Sequence, residues 1–239
     1  MDLDNTRSTE WFVPRFGPAR FRVAVGLLFL PYTGMVLAFT VVGAMLAENL
    51  HWDRVFALLL IYFLALGVGA HALDALGSKG AKPWGAVFSI RQLWTLASIS
   101  VLLAYAIGLY YMILYTPLLW LIAIPEGFFL LAYNLEWFGG RFHSDGWFAF
   151  SWGVLPTLAG YVLQSNRLTP AALLVAAAMG LLSLVEIKTS RPYKVLMRQR
   201  GALDEAARAQ ARQLEDILKS VSAGTILLGV GLLTWRWLG

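Results

Sequence analysis

The chain contains no cysteine, which removes disulfides and thiolate metal ligands from consideration. Charge is nearly as scarce. Asp, Glu, Lys and Arg make up 14% of the 239 residues, against about 25% in an average soluble domain. The apolar runs between the charged stretches are too long and too numerous for a water-soluble fold around a core. No cleavable leader is expected either: the polar first 21 residues precede an apolar run that is too long and has no small-residue cleavage pattern. The net charge of +5 sits in loops between apolar runs. That is the cytoplasmic bias of Lys and Arg in membrane proteins, and no nucleic-acid partner is expected.

What is present is 59% hydrophobic sequence, arranged in lengths that match a bilayer. A span needs about 20 apolar residues to cross ~30 Å of hydrocarbon. Val23 to Ala47 is uncharged throughout, and Val55 to Leu73 is interrupted only by His71. Gln92 to Pro125 is too long for one helix and divides at Thr116-Pro117, where Thr can cap and Pro takes the first helical position. Gly146 to Gln164 is a fifth span. Thr169-Pro170 repeats the start signal and opens a sixth, to about Val185, and Ser220 to Trp235 gives a seventh. The expected fold is an all-α, polytopic transmembrane bundle of seven spans in one integral membrane domain, 1–239. Residues 1–21 form a tail along the interface, anchored by Trp11 and Phe12. Residues 188–219 form a basic segment containing an amphipathic helix with Leu203, Ala207, Ala211, Leu214 and Leu218 on one stripe.

Orientation follows from the cations. With the N-terminus inside, the cytoplasmic segments hold four, three, one and eight Lys and Arg, 16 altogether, and the other side holds Arg54, Arg167 and Arg236. The positive-inside rule then places the protein in the cytoplasmic (inner) membrane with a cytoplasmic N-terminus. The 188–219 segment is expected to meet anionic inner-leaflet lipids or to cover the protein's cytoplasmic mouth. A solvated linker helix is the competing reading.

Ionisable groups within spans are costly and tend to face the bundle interior. Glu126 lies about 14 Å along the fourth span at 1.5 Å per residue, near the bilayer midplane, with Tyr133 two turns later on the same face. An acid hydrogen-bonded between helices would serve structure alone. His71 and Asp74, three apart at the end of the second span, share a face. That spacing suits a divalent cation or a proton relay, and equally a helix-capping pair. After the fourth span come Asn134, Glu136, His143 and Asp145, interleaved with aromatics around Gly139-Gly140. The sixth adds Glu186, Lys188, Arg191 and Lys194. Three helices thus deliver acids and histidines to one cytoplasmic face. The loop Gly77 to Pro83, with Lys79 and Lys82, could hold a phosphate through its N–H groups and ammonium charges, or be a plain Gly/Pro turn. Ala172, Ala176 and Gly180 form a small-residue stripe suited to close helix packing.

This layout resembles the UbiA superfamily of intramembrane prenyltransferases over roughly residues 20–195. In that family an Asn/Asp motif follows the second helix, a Tyr-xxx-Lys motif the fourth and a second Asp motif the sixth, all facing the cytoplasm. Asp74 falls at the first Asp of the first motif, Tyr133 at the motif Tyr, and Glu186 is the candidate for the second motif. Ala70 stands at the motif Asn, Ser78 at the next Asp and Trp137 at the Lys, and seven spans replace the family's usual nine. The resemblance implies a prenyltransferase-like enzyme acting on a lipid or isoprenoid substrate, with a divalent metal, Mg²⁺ first and Zn or Fe as alternatives. It implies metal ligands among His71, Asp74, Glu136, His143 and Glu186, and catalytic roles for Asp74, Tyr133 and Glu136. Substrate binding falls to Lys79, Lys82, Glu126, Asn134, Lys188 and Arg191. A non-haem metal oxidase or hydrolase on the same residues remains an alternative. So does a small carrier or accessory subunit using Glu126 as a proton or cation site.

Overall fold

A computed structural model describes residues 10–77, 87–198 and 204–239. Among them every regular element is helical, and seven helices are long and apolar enough to cross a membrane: α1 Ala19–Met45, α2 Trp52–Gly77, α3 Ile90–Leu114, α4 Pro117–Asn134, α5 Asp145–Ser165, α6 Pro170–Met197 and α7 Glu205–Leu238. The protein is therefore an integral membrane bundle by length and composition. The Pro-based start signals operate as the sequence suggests. Thr169 caps α6 by accepting from the Ala172 N–H at 3.3 Å, with Pro170 following. Thr116 precedes Pro117, but its hydroxyl donates back to Tyr111 O, and α4 opens with a single 3-10 turn.

α1 and α5 form the centre, and α3 and α7 the lipid-facing periphery. In a bilayer helices associate by packing and hydrogen bonding rather than by escape from water, so small residues matter most at the closest contacts. A Cβ on Gly43 would sit 1.8 Å from Thr157 O, and one on Gly160 2.1 Å from Thr40 O. Backbone lies on backbone there. Gly153 meets Gly180 in the same way between α5 and α6, and Ala172 and Ala176 of the small-residue stripe are buried beside them.

The two ends of the bundle are distinct. At one, Arg236 donates to Ala47 O at 2.9 Å and Arg54 to Leu163 O at 3.1 Å, while Trp52 and Trp237 pack 4.6 Å apart. The other end, the basic end, holds the described cations of the 16-residue group.

Three features depart from expectation. The tail's Trp11 and Phe12 do not lie outward as interface anchors. They pack with Val13, Val23, Phe29, Tyr32, Tyr193 and Leu218, because an apolar patch of protein is available nearer than lipid. The basic segment 188–219 is not a separate surface helix. α6 continues through Pro192 to Met197, and α7 begins at Glu205, capped by Asp204, and runs unbroken for 34 residues. No Pro or Gly interrupts 205–223, so nothing stops the helix; Leu214 and Leu218 find Tyr193 and the tail rather than a bilayer surface, and Ala211 is buried. Leu203, Lys79 and Lys82 lie outside the described residues. Finally, α1 is broken at Phe29, which takes a left-handed conformation (φ 44°) ahead of Pro31.

Candidate functional site

At the basic end, five helices enclose a cavity of about 380 Å³. α6 contributes one continuous face, with Glu186, Ile187, Ser190, Arg191, Lys194, Val195 and Arg198 at the three- and four-residue spacing that stacks side chains on a helix. Opposite stand His71 and Asp74 from α2, Tyr133 and Asn134 from the end of α4, and His143 from the loop after it. Phe29 and Tyr32 of α1 and Phe148 and Trp152 of α5 form aromatic walls.

Local irregularities position the histidines. The segment Phe63–Ala70 of α2 winds as a π-helix, as does Phe150–Val154 of α5. Such widened turns commonly mark functional positions. His71 follows the first directly, and its Nδ1 lies 3.1 Å from Gly67 O within it. Its ring sits between Phe29, at 4.6 Å, and Trp152, at 5.4 Å. A left-handed residue and two π-segments therefore converge on one imidazole. After α4, Glu136 (φ 51°), Phe138 (φ 56°), Gly139 and Gly140 adopt positive φ and turn the chain back. That return lays His143 on the Tyr133 ring, centroids 4.3 Å apart, with Nδ1 3.0 Å from Tyr133 O. With Nδ1–H donated to a carbonyl, a neutral imidazole presents its Nε2 lone pair, and the ring's tautomer is set by the backbone.

Arg191 ties the mouth together. Its Nε lies 2.9 Å from Asp145 Oδ1, its Nη2 donates to His143 O at 3.3 Å, and its guanidinium meets the Tyr133 hydroxyl. Lys194 lies over the Phe29 and Tyr32 rings at 5.4 and 5.7 Å. Deeper, Glu186 is only 3% exposed and lines the cavity, where the Lys194 ammonium is the charge that acts on it. Tyr32 and Ser190 share a hydrogen bond of 3.3 Å beside it.

Of the residues expected at a shared site, His71, Asp74, Tyr133, Asn134, His143, Glu186 and Arg191 line this cavity. Glu136 does not: α4 ends at Asn134, and the left-handed residue 136 starts the reversal. Lys188 is exposed on another side of α6. Glu126 lines a separate, smaller cavity. Sequence reading missed the walls Phe29, Tyr32, Phe148 and Trp152, and also Ser190 and Arg198. Extending the 186/187, 190/191, 194/195 spacing by one turn would have reached Arg198.

Among the described residues, no three His, Asp or Glu side chains gather as a metal ion's donor set requires. The described residues therefore present no three-donor set for the cation that the resemblance implies. No protein-family model, curated protein or solved structure matches the chain.

Proposed function

We propose that the protein is an integral-membrane enzyme of prenyltransferase type, taking a lipid or isoprenoid substrate with an anionic headgroup into the basic-end cavity, and that this end faces the cytoplasm. The observation that carries the reading is the face of α6. It places Arg191, Lys194 and Arg198 in the cavity wall with a buried Glu186 that Lys194 attracts, against aromatic walls and two backbone-anchored histidines. Three cations suit a phosphate or diphosphate, with Arg supplying forked donors and Lys a point charge. Phe29, Phe148 and Trp152 offer the first units of an apolar chain a dry surface. His71 and His143 are positioned to hold or pass a proton as the bond to the headgroup breaks. The 16-to-3 division of cations supports the cytoplasmic orientation.

The test uses the purified protein in nanodiscs. Farnesyl diphosphate is expected to bind more tightly than farnesol, and Arg191→Ala and Lys194→Ala are each expected to weaken that binding about tenfold, equivalent to about 1.4 kcal/mol. Equal affinity for the diphosphate and the alcohol would end the reading. Uptake of a solute into vesicles without turnover would replace it with a carrier.

A further inference from the structure

A second cavity, of about 70 Å³, lies midway along the spans between α2, α3 and α4, away from the basic-end site. Its walls are apolar, and among larger side chains Ala65 of α2, Ala104 and Gly108 of α3 and Ala123 of α4 leave the space. The polar groups are Glu126, Tyr62 and Tyr105. Tyr62 donates its hydroxyl to Glu126 Oε1 at 2.8 Å, and Tyr105 donates to Ala123 O at 3.0 Å. Gly127 makes room for the Tyr105 hydroxyl, since a Cβ there would lie 2.1 Å from it.

Both phenolic protons are thus committed. Glu126 Oε2 has no hydrogen-bond partner among the described residues, and Glu126 is half-buried. The crevice therefore reaches the outer surface of the bundle, where Ile61, Ala65, Tyr105 and Ala123 of its lining are also only partly buried. At this depth that surface meets hydrocarbon, which cannot satisfy a carboxyl oxygen. A carboxylate Oε2 needs a donor, and a carboxylic acid Oε2 offers one. An alcohol meets either form, whereas a carbonyl or an ammonium meets only one. The volume admits a hydroxymethyl head, and the rest of the chain can lie in lipid along α3 and α4.

From this geometry we infer a lipid-facing binding site for a long-chain alcohol, held by its hydroxyl on Glu126 and independent of the function proposed for the basic end. The probe is a photoreactive, diazirine-bearing farnesol analogue applied to the full chain in nanodiscs, with labelled peptides mapped by mass spectrometry. Labelling is expected on α2, α3 and α4, competed by farnesol and about tenfold less well by the parent hydrocarbon farnesane, which can neither donate nor accept. Glu126→Leu should lose the labelling. Glu126→Gln, which both donates and accepts, should keep it within a few-fold. Gly108→Leu should lose it by filling the space while leaving the carboxyl intact; a Cβ at Gly108 meets nothing closer than 3.7 Å. Size-exclusion profiles report whether each variant is folded. Equal competition by alcohol and hydrocarbon, labelling unchanged in folded Glu126→Leu or Gly108→Leu, or cross-links formed only between two copies of the chain would each overturn the inference.

Discussion

The rings of Phe29 and His71 lie 4.6 Å apart, and each belongs to a stretch of chain that departs from regular α-helix. Phe29 holds a left-handed conformation at the break in α1, and His71 follows the π-segment of α2. A non-glycine residue at φ 44° costs on the order of 1 kcal/mol, so the surrounding contacts must over-determine it. Those contacts are the ring itself, buried among Phe12, Tyr32 and His71.

His71→Phe separates packing from chemistry. The substitution keeps a ring between Phe29 and Trp152 and removes both nitrogens. Loss of the Nδ1 contact to Gly67 O should lower stability by about 1 kcal/mol. If the imidazole transfers a proton, turnover should fall about 100-fold or more. Unfolding in detergent and single-turnover rates measure the two effects. Full activity in a folded variant would make His71 a packing residue only.

Gly160→Ala tests the centre of the bundle. The added methyl would lie 2.1 Å from Thr40 O, and the obstacle is backbone, which cannot swing aside. Helices α1 and α5 must separate, and the expected loss is about 3 kcal/mol, the upper end for overpacking. Gly146→Ala is the control, because a Cβ there meets nothing within 4 Å. Similar midpoints for the two variants in detergent unfolding would contradict the close approach.

Sidedness can be read from single cysteines, since the chain has none of its own. Phe16 and Leu238 are both well exposed and flank seven spanning helices, an odd number. Phe16→Cys and Leu238→Cys should react with an impermeant maleimide from opposite sides of a sealed vesicle, Phe16→Cys from the cytoplasmic side. Reaction from the same side would remove one span from the count.

The spans were legible because a bilayer imposes a length that any sufficiently apolar run reveals, and because Thr116-Pro117 and Thr169-Pro170 punctuate them locally. His71, Asp74, Asn134 and His143 could be placed at one membrane depth, and Glu186 and Arg191 at the same end, from helix direction and rise alone. What the sequence could not give was set by tertiary contact. Helix direction gave depth but not azimuth, so Glu136 was grouped with residues from which the turn after Asn134 removes it. The π-segments carry no local signal beyond glycines such as Gly67 and Gly153, whose missing side chains admit Thr33 and Gly180. The break at Phe29 had one marker, Pro31, which is compatible with a continuous helix elsewhere in this chain, as Pro125 and Pro192 demonstrate.

The least legible element was α7, where an amphipathic basic stretch was expected to lie along the membrane surface and instead extends the spanning helix. The 34 residues of Glu205–Leu238 measure about 51 Å at 1.5 Å per residue, so about 20 Å projects beyond a hydrocarbon core of ~30 Å. Tyr193 donates to Glu215 at 3.2 Å, Lys219 bonds Glu215 and lies over Trp11, and Leu218 is buried. These contacts hold the projecting turns upright against α6 and the tail. Spin labels on Arg208→Cys and Leu228→Cys, both at exposed positions, are 20 residues apart and should give a narrow distance distribution centred on about 30 Å. A bend to the membrane plane near Ser220 would shorten this to roughly 20 Å by the same rise per residue. Glu215→Ala should broaden the distribution without moving its centre, because a surface-exposed ion pair contributes little and the apolar stripe still holds the helix. A centre near the shorter distance would restore the surface-helix reading and separate α7 into two elements.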